Sequence, residues 1–315
     1  LNAMFTFMNT ARIGTAIQGL AHAELSFQGA LEYARERLAM RSLTGPKNPD
    51  GPADPIIVHP DVRRMLLTQK AFAEGGRALI YFASTQGDIL TKSDDPEARE
   101  LANHVLNFLT PIIKAFLTET GFESANLGLQ CLGGHGYINE WGVEQNVRDA
   151  RIGMLYEGTT GIQALDLLGR KVLGTRGKAL APVTGFILDF CKRARRRKEL
   201  RPYLKTLVRL TKQWKALTRK IGFAAMRNRD AVGAASVDYI MFSGYVLLGV
   251  AWAASAHAAY RRIEQGTTEE AFYRAKIQTA EFYFAKILPR TTALLETMST
   301  GPDPLMKMDE SQFNF

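Results

Sequence analysis

Hydrophobic residues recur at intervals of three and four positions along almost the whole chain, and this spacing predicts α-helices. Strand-type alternation of apolar and polar residues is scarce. Between the first two predicted helices, the run from Thr44 to Pro52 is so rich in proline and glycine that it predicts a loop. The helices predicted in the first half cover about residues 2–38, 60–90, 96–130, 143–150 and 159–172.

The second half of the chain, from about residue 180 to residue 299, has the same helical spacing. Breaks are predicted near Arg201-Pro202, near Gly233 and at Gly266. The stretch from Ile240 to Ala259 lacks Asp, Glu, Lys and Arg and is long enough to cross a bilayer. Because alanine, glycine, serine and a histidine dilute its hydrophobicity, we expect a buried bundle helix and no membrane span.

Long helices with short loops favour helical bundles. We therefore predict an all-α protein, in which an antiparallel helical bundle is followed by a second, bundle-like helical extension. The predicted units cover residues 1–178 and 179–315. In the first predicted helix, Gly14, Gly19 and Gly29 would allow a neighbouring helix to approach closely.

The composition excludes several classes of protein. With 315 residues, of which 46% are hydrophobic and 23% charged, the chain is not wholly disordered. Its two cysteines, Cys131 and Cys191, lack the spacing of metal ligands, which excludes a zinc ribbon and a disulfide scaffold. We expect no metal site and a reducing, cytoplasmic location. The net charge of +9 favours anionic partners, although the run Lys192–Lys198 is most simply a solvated helix end.

Three glycines, Gly133, Gly134 and Gly136, follow the third predicted helix. Without β-carbons the backbone can adopt positive φ and a ligand can touch the main chain. Successive free N–H groups can also form an anion-binding concavity. No strand precedes the glycines, so this is not the dinucleotide-binding fingerprint. A simple helix stop needs only one glycine, and the residues alone leave both explanations open.

A carboxylate, Glu157, lies between two predicted helices among apolar residues, and Thr159 is a good N-cap for the second helix. A carboxylate at this point could simply complement the dipole of that helix. Alternatively, it could be a general base, because an apolar environment favours the protonated form of a carboxyl group. Composition does not distinguish these two roles.

The combination of blocks resembles the C-terminal helical domain of acyl-CoA dehydrogenases, in order and in separation as well as in content. The resemblance covers about residues 1–174, and the residues from about 180 onward resemble the extension of larger members. The first helix adds Arg12, Tyr33-Ala34 and Glu36-Arg37 to the match. The other matching blocks are Gln130, Gly133-Gly134-His135-Gly136-Tyr137, Arg148-Asp149-Ala150, Tyr156-Glu157-Gly158-Thr159 and Ile162-Gln163.

The resemblance implies an activity. Acyl-CoA dehydrogenases use FAD to oxidise an acyl-CoA to the trans-2-enoyl-CoA, and Glu157 matches the base that removes the α-proton while the β-hydride passes to the flavin. The N–H of that same residue and a flavin ribityl hydroxyl bind the thioester carbonyl in the family. The resemblance further implies contacts to FAD, partly across a dimer, from Arg37, Gln130, Gly133, Gly134 and Thr159, and contacts to the substrate from Asn9, Arg12, Tyr156 and Gly158.

Partners also follow from the resemblance: an acyl-CoA substrate, an electron-transfer flavoprotein or a similar acceptor, and a homodimer or homotetramer. The family places an N-terminal helical domain and a middle β-domain before this segment. Because the chain begins with Leu1 inside a predicted helix, we expect the native protein to continue upstream and this portion alone to be inactive.

Two other functions fit the basic charge. One is a nucleic-acid-associated flavoprotein of the family's alkylation-response branch, which binds DNA through a basic C-terminal region. The other is a non-catalytic module for oligomerisation or membrane-surface attachment. Since the basic run is not interleaved with aromatic residues, we expect no nucleic-acid partner.

Overall fold

The computed structural model describes the backbone of residues 2–314 and the side chains of residues 9–314. Within these bounds the secondary structure is helical, and the only β-type pairing is an isolated bridge between Leu38 and Pro55. The predicted all-α class is confirmed. The α-helices are α1 (Asn2–Glu36), α2 (Pro60–Lys92), α3 (Pro96–Leu132), α4 (Gly134–Tyr137), α5 (Val143–Ile152), α6 (Thr160–Leu165), α7 (Leu180–Ala194), α8 (Arg201–Arg227), α9 (Asp230–Glu264), α10 (Glu270–Phe282), α11 (Arg290–Thr297) and α12 (Asp303–Met306).

Shorter helical segments connect or extend these helices. Two π-helices, Asp166–Leu173 and Tyr283–Ile287, continue α6 and α10. The helix predicted over residues 159–172 therefore exists, but its second half is wound more widely than an α-helix. The 3₁₀ segments are Ile56–Val58, Asn139–Trp141, Lys198–Leu200 and Glu310–Asn314.

Helices α1 and α3 cross at a pair of glycines. A β-carbon on Gly19 would lie 2.4 Å from the carbonyl oxygen of Leu117, and one on Gly121 would lie 2.3 Å from the carbonyl oxygen of Gly19. Both distances are far below van der Waals contact, so the two backbones touch directly. The close approach predicted at Gly19 is present, whereas Gly14 and Gly29 face open space.

Helix α3 runs without interruption past Pro111, where the sequence predicts a kink or a restart. Proline lacks the N–H that would normally bond to the carbonyl four residues earlier, which here belongs to Asn107. The Nζ of Lys171 donates to that carbonyl oxygen at 2.5 Å. A side chain from the first π-helix thus replaces the missing backbone donor, and α3 continues through Pro111.

Helix α9 lies in the centre of the second half and is mostly buried, as predicted for Ile240–Ala259. It is long and apolar enough to cross a membrane, but 78% of its most apolar window is buried inside the fold. The break predicted near Gly233 occurs instead at Asn228 and Arg229, between α8 and α9. Asn228 ends α8 in an extended conformation, and its side chain accepts a hydrogen bond from the N–H of Asp230 at 2.9 Å.

One continuous hydrophobic core joins residues from both predicted units. The indole of Trp252 on α9 donates to the carbonyl of Ala71 on α2 at 3.0 Å. Arg290 on α11 makes a bidentate ion pair with Glu123 on α3, at 2.7 and 2.8 Å. The extension therefore packs against α2 and α3, while the division at residue 178 stays a prediction.

The glycine crossing gives a first testable prediction. Gly19→Ala should lower the free energy of unfolding by about 1–3 kcal/mol, because the new methyl group forces two backbones apart. Gly14→Ala is the matched control: it adds the same methyl group to the same helix in open space and should be neutral or stabilising. Urea unfolding of both variants checks this. Equal effects would show that α1 and α3 are not in backbone contact.

Candidate functional site

The loop that carries Glu157 connects α5 to α6 and turns sharply. Glu157 has a φ of 55° and Gly158 a φ of 91°. Glycine adopts this left-handed region readily, but for a glutamate it is uncommon and costs energy. Such strain persists only where surrounding contacts fix it, and it clusters at functional sites. The side chain of Glu157 is half-buried.

Two buried side chains hold this loop by hydrogen bonds from the protein interior. The Nζ of Lys114 on α3 donates to the carbonyl oxygen of Gly158 at 2.7 Å. The side-chain amide of Gln163 on α6 donates to the carbonyl oxygen of Glu157 at 2.9 Å. Lys114 and Gln163 have no solvent-exposed surface. Two consecutive carbonyls are therefore pulled toward the protein interior.

Lys114 lies in an unusual place for an ammonium group. Burial lowers its pKa from 10.5 to about 8, and the positive charge of Arg12 acts in the same direction. The carboxylates of Glu119 and Glu157 oppose this shift. Lys114 makes no ion pair among the described residues and donates to a neutral carbonyl, so the carboxylates of Glu119 and Glu157 stabilise its charge from a distance.

We call Lys114, Gln163 and the other residues that hold the loop the Glu157 framework. Further contacts of the loop belong to it. Thr159 caps α6, because its hydroxyl accepts a hydrogen bond from the N–H of Ile162 at 3.3 Å. The hydroxyl of Thr160 donates to the carboxylate of Glu119 at 2.6 Å. Tyr156 donates its hydroxyl to the side-chain oxygen of Gln18 on α1. The loop is thus attached to α1, α3 and α6.

Asn9 and Arg12, the predicted CoA contacts, lie beside this framework and make internal contacts. Arg12 is buried, and its Nη1 lies 3.2 Å from a carboxylate oxygen of Asp166, which is itself buried. Its Nε is buried without a partner among the described residues. Asn9 donates to the side chain of Asn107 at 3.1 Å.

Arg37, Gln130, Gly133 and Gly134 come together at the other end of α3. They line one shallow cleft, and all four are exposed. Gly133 ends α3 with a φ of 60°, which explains glycine at this position, and no atom lies within 4 Å of a β-carbon built on Gly133 or Gly134. The side chain of Arg37 has no partner in the described part of the chain. This cleft therefore offers a free cation and an accessible main chain.

An aromatic cluster borders the cleft lined by Arg37, Gln130, Gly133 and Gly134, which we call the glycine cleft. The ring of His135 stacks on Trp141, with centroids 5.0 Å apart and planes 9° apart. Tyr33 packs edge-on against both rings, and its hydroxyl lies 2.9 Å from Nδ1 of His135. Trp141 keeps 47% of its surface exposed.

The structure does not bring the two groups of predicted site residues together within one chain. Lys114, beneath the Glu157 loop, and Gly133, at the cleft, are separated by 19 residues of α3, or about 28 Å of helix. Thr159 alone among the predicted FAD ligands lies at the Glu157 end. That the cleft serves the cofactor of a neighbouring subunit stays a prediction.

Sequence reasoning missed three residues of the Glu157 framework: Lys114, Gln163 in its role beneath the loop, and Asp166. One signal was available for Lys114, which is the only charged residue in the apolar run from Phe108 to Leu117. A lone charge in such a run is costly unless a specific contact compensates for it. Nothing in the spacing of Asp166 indicates its pairing with Arg12, 154 positions away.

Comparisons with known proteins agree over the whole chain. Residues 1–173 match the model of the acyl-CoA dehydrogenase C-terminal domain, and residues 183–309 match the acetyl-CoA dehydrogenase C-terminal-like model. The chain is 37% identical to the 3-methylmercaptopropionyl-CoA dehydrogenase of Ruegeria pomeroyi, covering 97% of this chain and 51% of that protein. It is 33% identical to the broad-specificity linear acyl-CoA dehydrogenase FadE5 of Mycobacterium tuberculosis, covering 98% and 52%.

Solved structures show the same fold. An acyl-CoA dehydrogenase complexed with FAD from Bacillus anthracis aligns with a TM-score of 0.69 at 17% identity, covering 94% of this chain and 49% of that one. Caenorhabditis elegans ACDH-11 in complex with C11-CoA aligns with a TM-score of 0.68 at 18% identity, covering 89% and 43%. The chain spans about half the length of the curated relatives that it matches.

The burial of Lys114 predicts a pH dependence of stability. Its pKa is about 8 in the folded chain and about 10.5 unfolded, so the unfolded state binds more protons between these values. The penalty for burying the ammonium is therefore fully present below pH 8 and is relieved as the pH rises. We therefore compare the free energy of unfolding of the wild type with that of Lys114→Met. The wild-type value minus the variant value should rise by about 2 kcal/mol between pH 7 and pH 9.5.

Urea unfolding of both proteins at several pH values measures this difference. Burial raises the pKa values of Cys131 and Cys191 to about 11, so their titration lowers the stability of both proteins as the pH rises. This effect is the same in both proteins and cancels in the difference between them. Lys178→Met, at an exposed lysine, is the control and should show no such trend. A pH-independent difference for Lys114→Met would mean that this lysine stays fully charged in the fold.

Proposed function

This chain belongs to the acyl-CoA dehydrogenase family, and we propose that it is the C-terminal half of an enzyme that oxidises acyl-CoA to trans-2-enoyl-CoA. One observation carries the proposal: Glu157 is held at positive φ on a loop that Lys114 and Gln163 fix from below. A glutamate that only complemented a helix dipole would need neither the strain nor the buried lysine.

In the proposed reaction, the carboxylate of Glu157 removes the proton from the α-carbon of the thioester. The acidity of that proton rises when hydrogen bonds stabilise the negative charge that develops on the thioester oxygen. The N–H of Glu157 has no acceptor within the described part of the chain, so it is available to donate to that oxygen. One residue would then supply both the base and an oxyanion donor.

Lys114 and Gln163 act in this proposal as positioning residues. They hold the carbonyls of Gly158 and Glu157 and thereby fix the two peptide units that follow the base. Arg12 has a related role, because its pairing with Asp166 fixes α1 against the first π-helix. A direct contact from Arg12 to CoA would have to compete with that buried ion pair. Tyr156 and Gly158 remain candidates for lining the thioester, and Asn9 for contacting CoA.

The exposed residues of the glycine cleft fit one end of FAD. Arg37 provides a cation that has no partner among the described residues, Gln130 provides an exposed amide, and Gly133 and Gly134 provide an open main chain. At the other end of the site, Thr159 at the start of α6 is exposed and is proposed to approach the pyrophosphate. When bound, FAD supplies the acceptor for the β-hydride.

We further propose that the cleft of one subunit completes the site of another in a homodimer or homotetramer, because the two groups of residues are about 28 Å apart along α3. An electron-transfer flavoprotein or a similar acceptor would then reoxidise the enzyme. A cytoplasmic location stays part of the proposal, which the two unpaired, buried cysteines support.

The proposal predicts the effect of one conservative substitution. In the complete enzyme, Glu157→Gln should lower kcat at least about 100-fold, because an amide keeps the shape of the side chain but cannot accept the proton. Dye reduction with a panel of acyl-CoA substrates measures this. The matched control is Glu100→Gln, at an exposed carboxylate on α3, which should leave kcat unchanged. Activity near the wild-type level in Glu157→Gln would remove this residue from the role of base.

A further inference from the structure

The positive charge of the chain is concentrated in one segment. The 40 residues between Asp189 and Asp230 contain 15 of the 40 Lys and Arg residues but only one of the 31 Asp and Glu residues, Glu199. The remaining 275 residues carry 25 basic and 30 acidic side chains, a net charge of −5. The end of α7 and the whole of α8 therefore account for more than the entire net charge of +9.

Few of these cations are neutralised inside the protein. Among the described residues, Arg197 alone in this segment makes ion pairs, with Glu199 and Glu264. One side of α8 packs into the core through Leu207, Trp214 and other apolar residues. The opposite side is exposed and carries a stripe of basic residues, which are Arg201, Lys205, Arg209, Lys212, Arg219 and Lys220.

A groove between α7 and α8 continues this stripe. Four cations, Lys192, Arg195, Arg201 and Lys205, lie along it, and no acidic residue does. The rest of the groove is apolar and is formed by Leu188, Cys191, Leu204 and Val208. The groove therefore combines a cationic rim with a hydrophobic floor, an arrangement that matches a ligand with an anionic head and an apolar tail.

The other end of the stripe is also amphipathic. Phe223 and Met226, near the end of α8, keep 67% and 74% of their surface exposed. They lie four and seven positions beyond Arg219, and so they continue the same side of the helix. Large apolar side chains next to unpaired cations are typical of surfaces that enter the interface of a bilayer. We name the basic stripe, the groove and these two residues the α7–α8 face.

We propose that the α7–α8 face docks the protein on the surface of a membrane rich in anionic lipids. Anionic headgroups attract a cationic surface of this kind, with roughly a fivefold gain in binding per Lys or Arg near the surface. The apolar groove floor, Phe223 and Met226 favour lipid over nucleic acid, since a phosphodiester backbone offers no apolar phase to receive them. The contact is peripheral, because α9 is buried in the core.

Vesicle sedimentation of the full 315-residue chain tests the proposal. The chain should bind vesicles rich in phosphatidylglycerol, bind pure phosphatidylcholine vesicles far more weakly, and be released as salt is added. Replacing Lys205, Lys212 and Arg219 together by Gln should lower the partition coefficient about 100-fold. The matched control replaces three exposed cations of α1, α2 and their loop, Arg35, Lys47 and Arg63, by Gln and should lower it only a few-fold.

A second variant separates lipid from other polyanions. Phe223→Ser combined with Met226→Ser leaves the charge unchanged and should reduce vesicle binding about tenfold or more. All these side chains are exposed, so thermal melting followed by circular dichroism should be unchanged in every variant. Equal losses in the two triple variants would overturn the proposal. So would full vesicle binding by the serine variant, or tight binding of duplex DNA without binding to anionic vesicles.

Discussion

The hydrogen bond from the buried ammonium of Lys114 to the carbonyl of Gly158 is the interaction on which the site depends. An unpaired charge in the core is expensive, and the lowered pKa of Lys114 reflects that cost. In return, the bond fixes a loop whose glutamate has an unfavourable backbone conformation. Without it, nothing else in the described structure would hold the carbonyl of Gly158 except a 3.5 Å contact from Gln163.

The helical extension supports this site from behind. A β-carbon on Gly244 of α9 would lie 2.2 Å from the ring of Phe116, so α9 packs directly on α3 two residues beyond Lys114. The ion pair between Arg290 and Glu123 ties α11 to the same helix. Helix α3 is therefore enclosed by α1 on one side and by the extension on the other, and Lys114 has little freedom to reach solvent.

The sequence was sufficient to predict the all-α class, most helix positions and the N-cap at Thr159, because these depend on neighbours within a few positions. It was not sufficient for the contacts that fix the site. Lys114 and Gly158 are 44 positions apart, and Arg12 and Asp166 are 154 apart. The π-helix after Leu165 and the replacement of a backbone donor at Pro111 by Lys171 also depend on packing that local patterns do not encode.

We propose that Lys114 and Gln163 hold the carboxylate of Glu157 against the α-carbon of a thioester. A crystal structure of the complete enzyme with FAD and an unreactive acyl-CoA analogue tests it most directly. We expect a carboxylate oxygen of Glu157 to lie within about 3–3.5 Å of that carbon, with Lys114 still hydrogen-bonded to Gly158. Another carboxylate at that carbon, with Glu157 turned toward solvent, would contradict it.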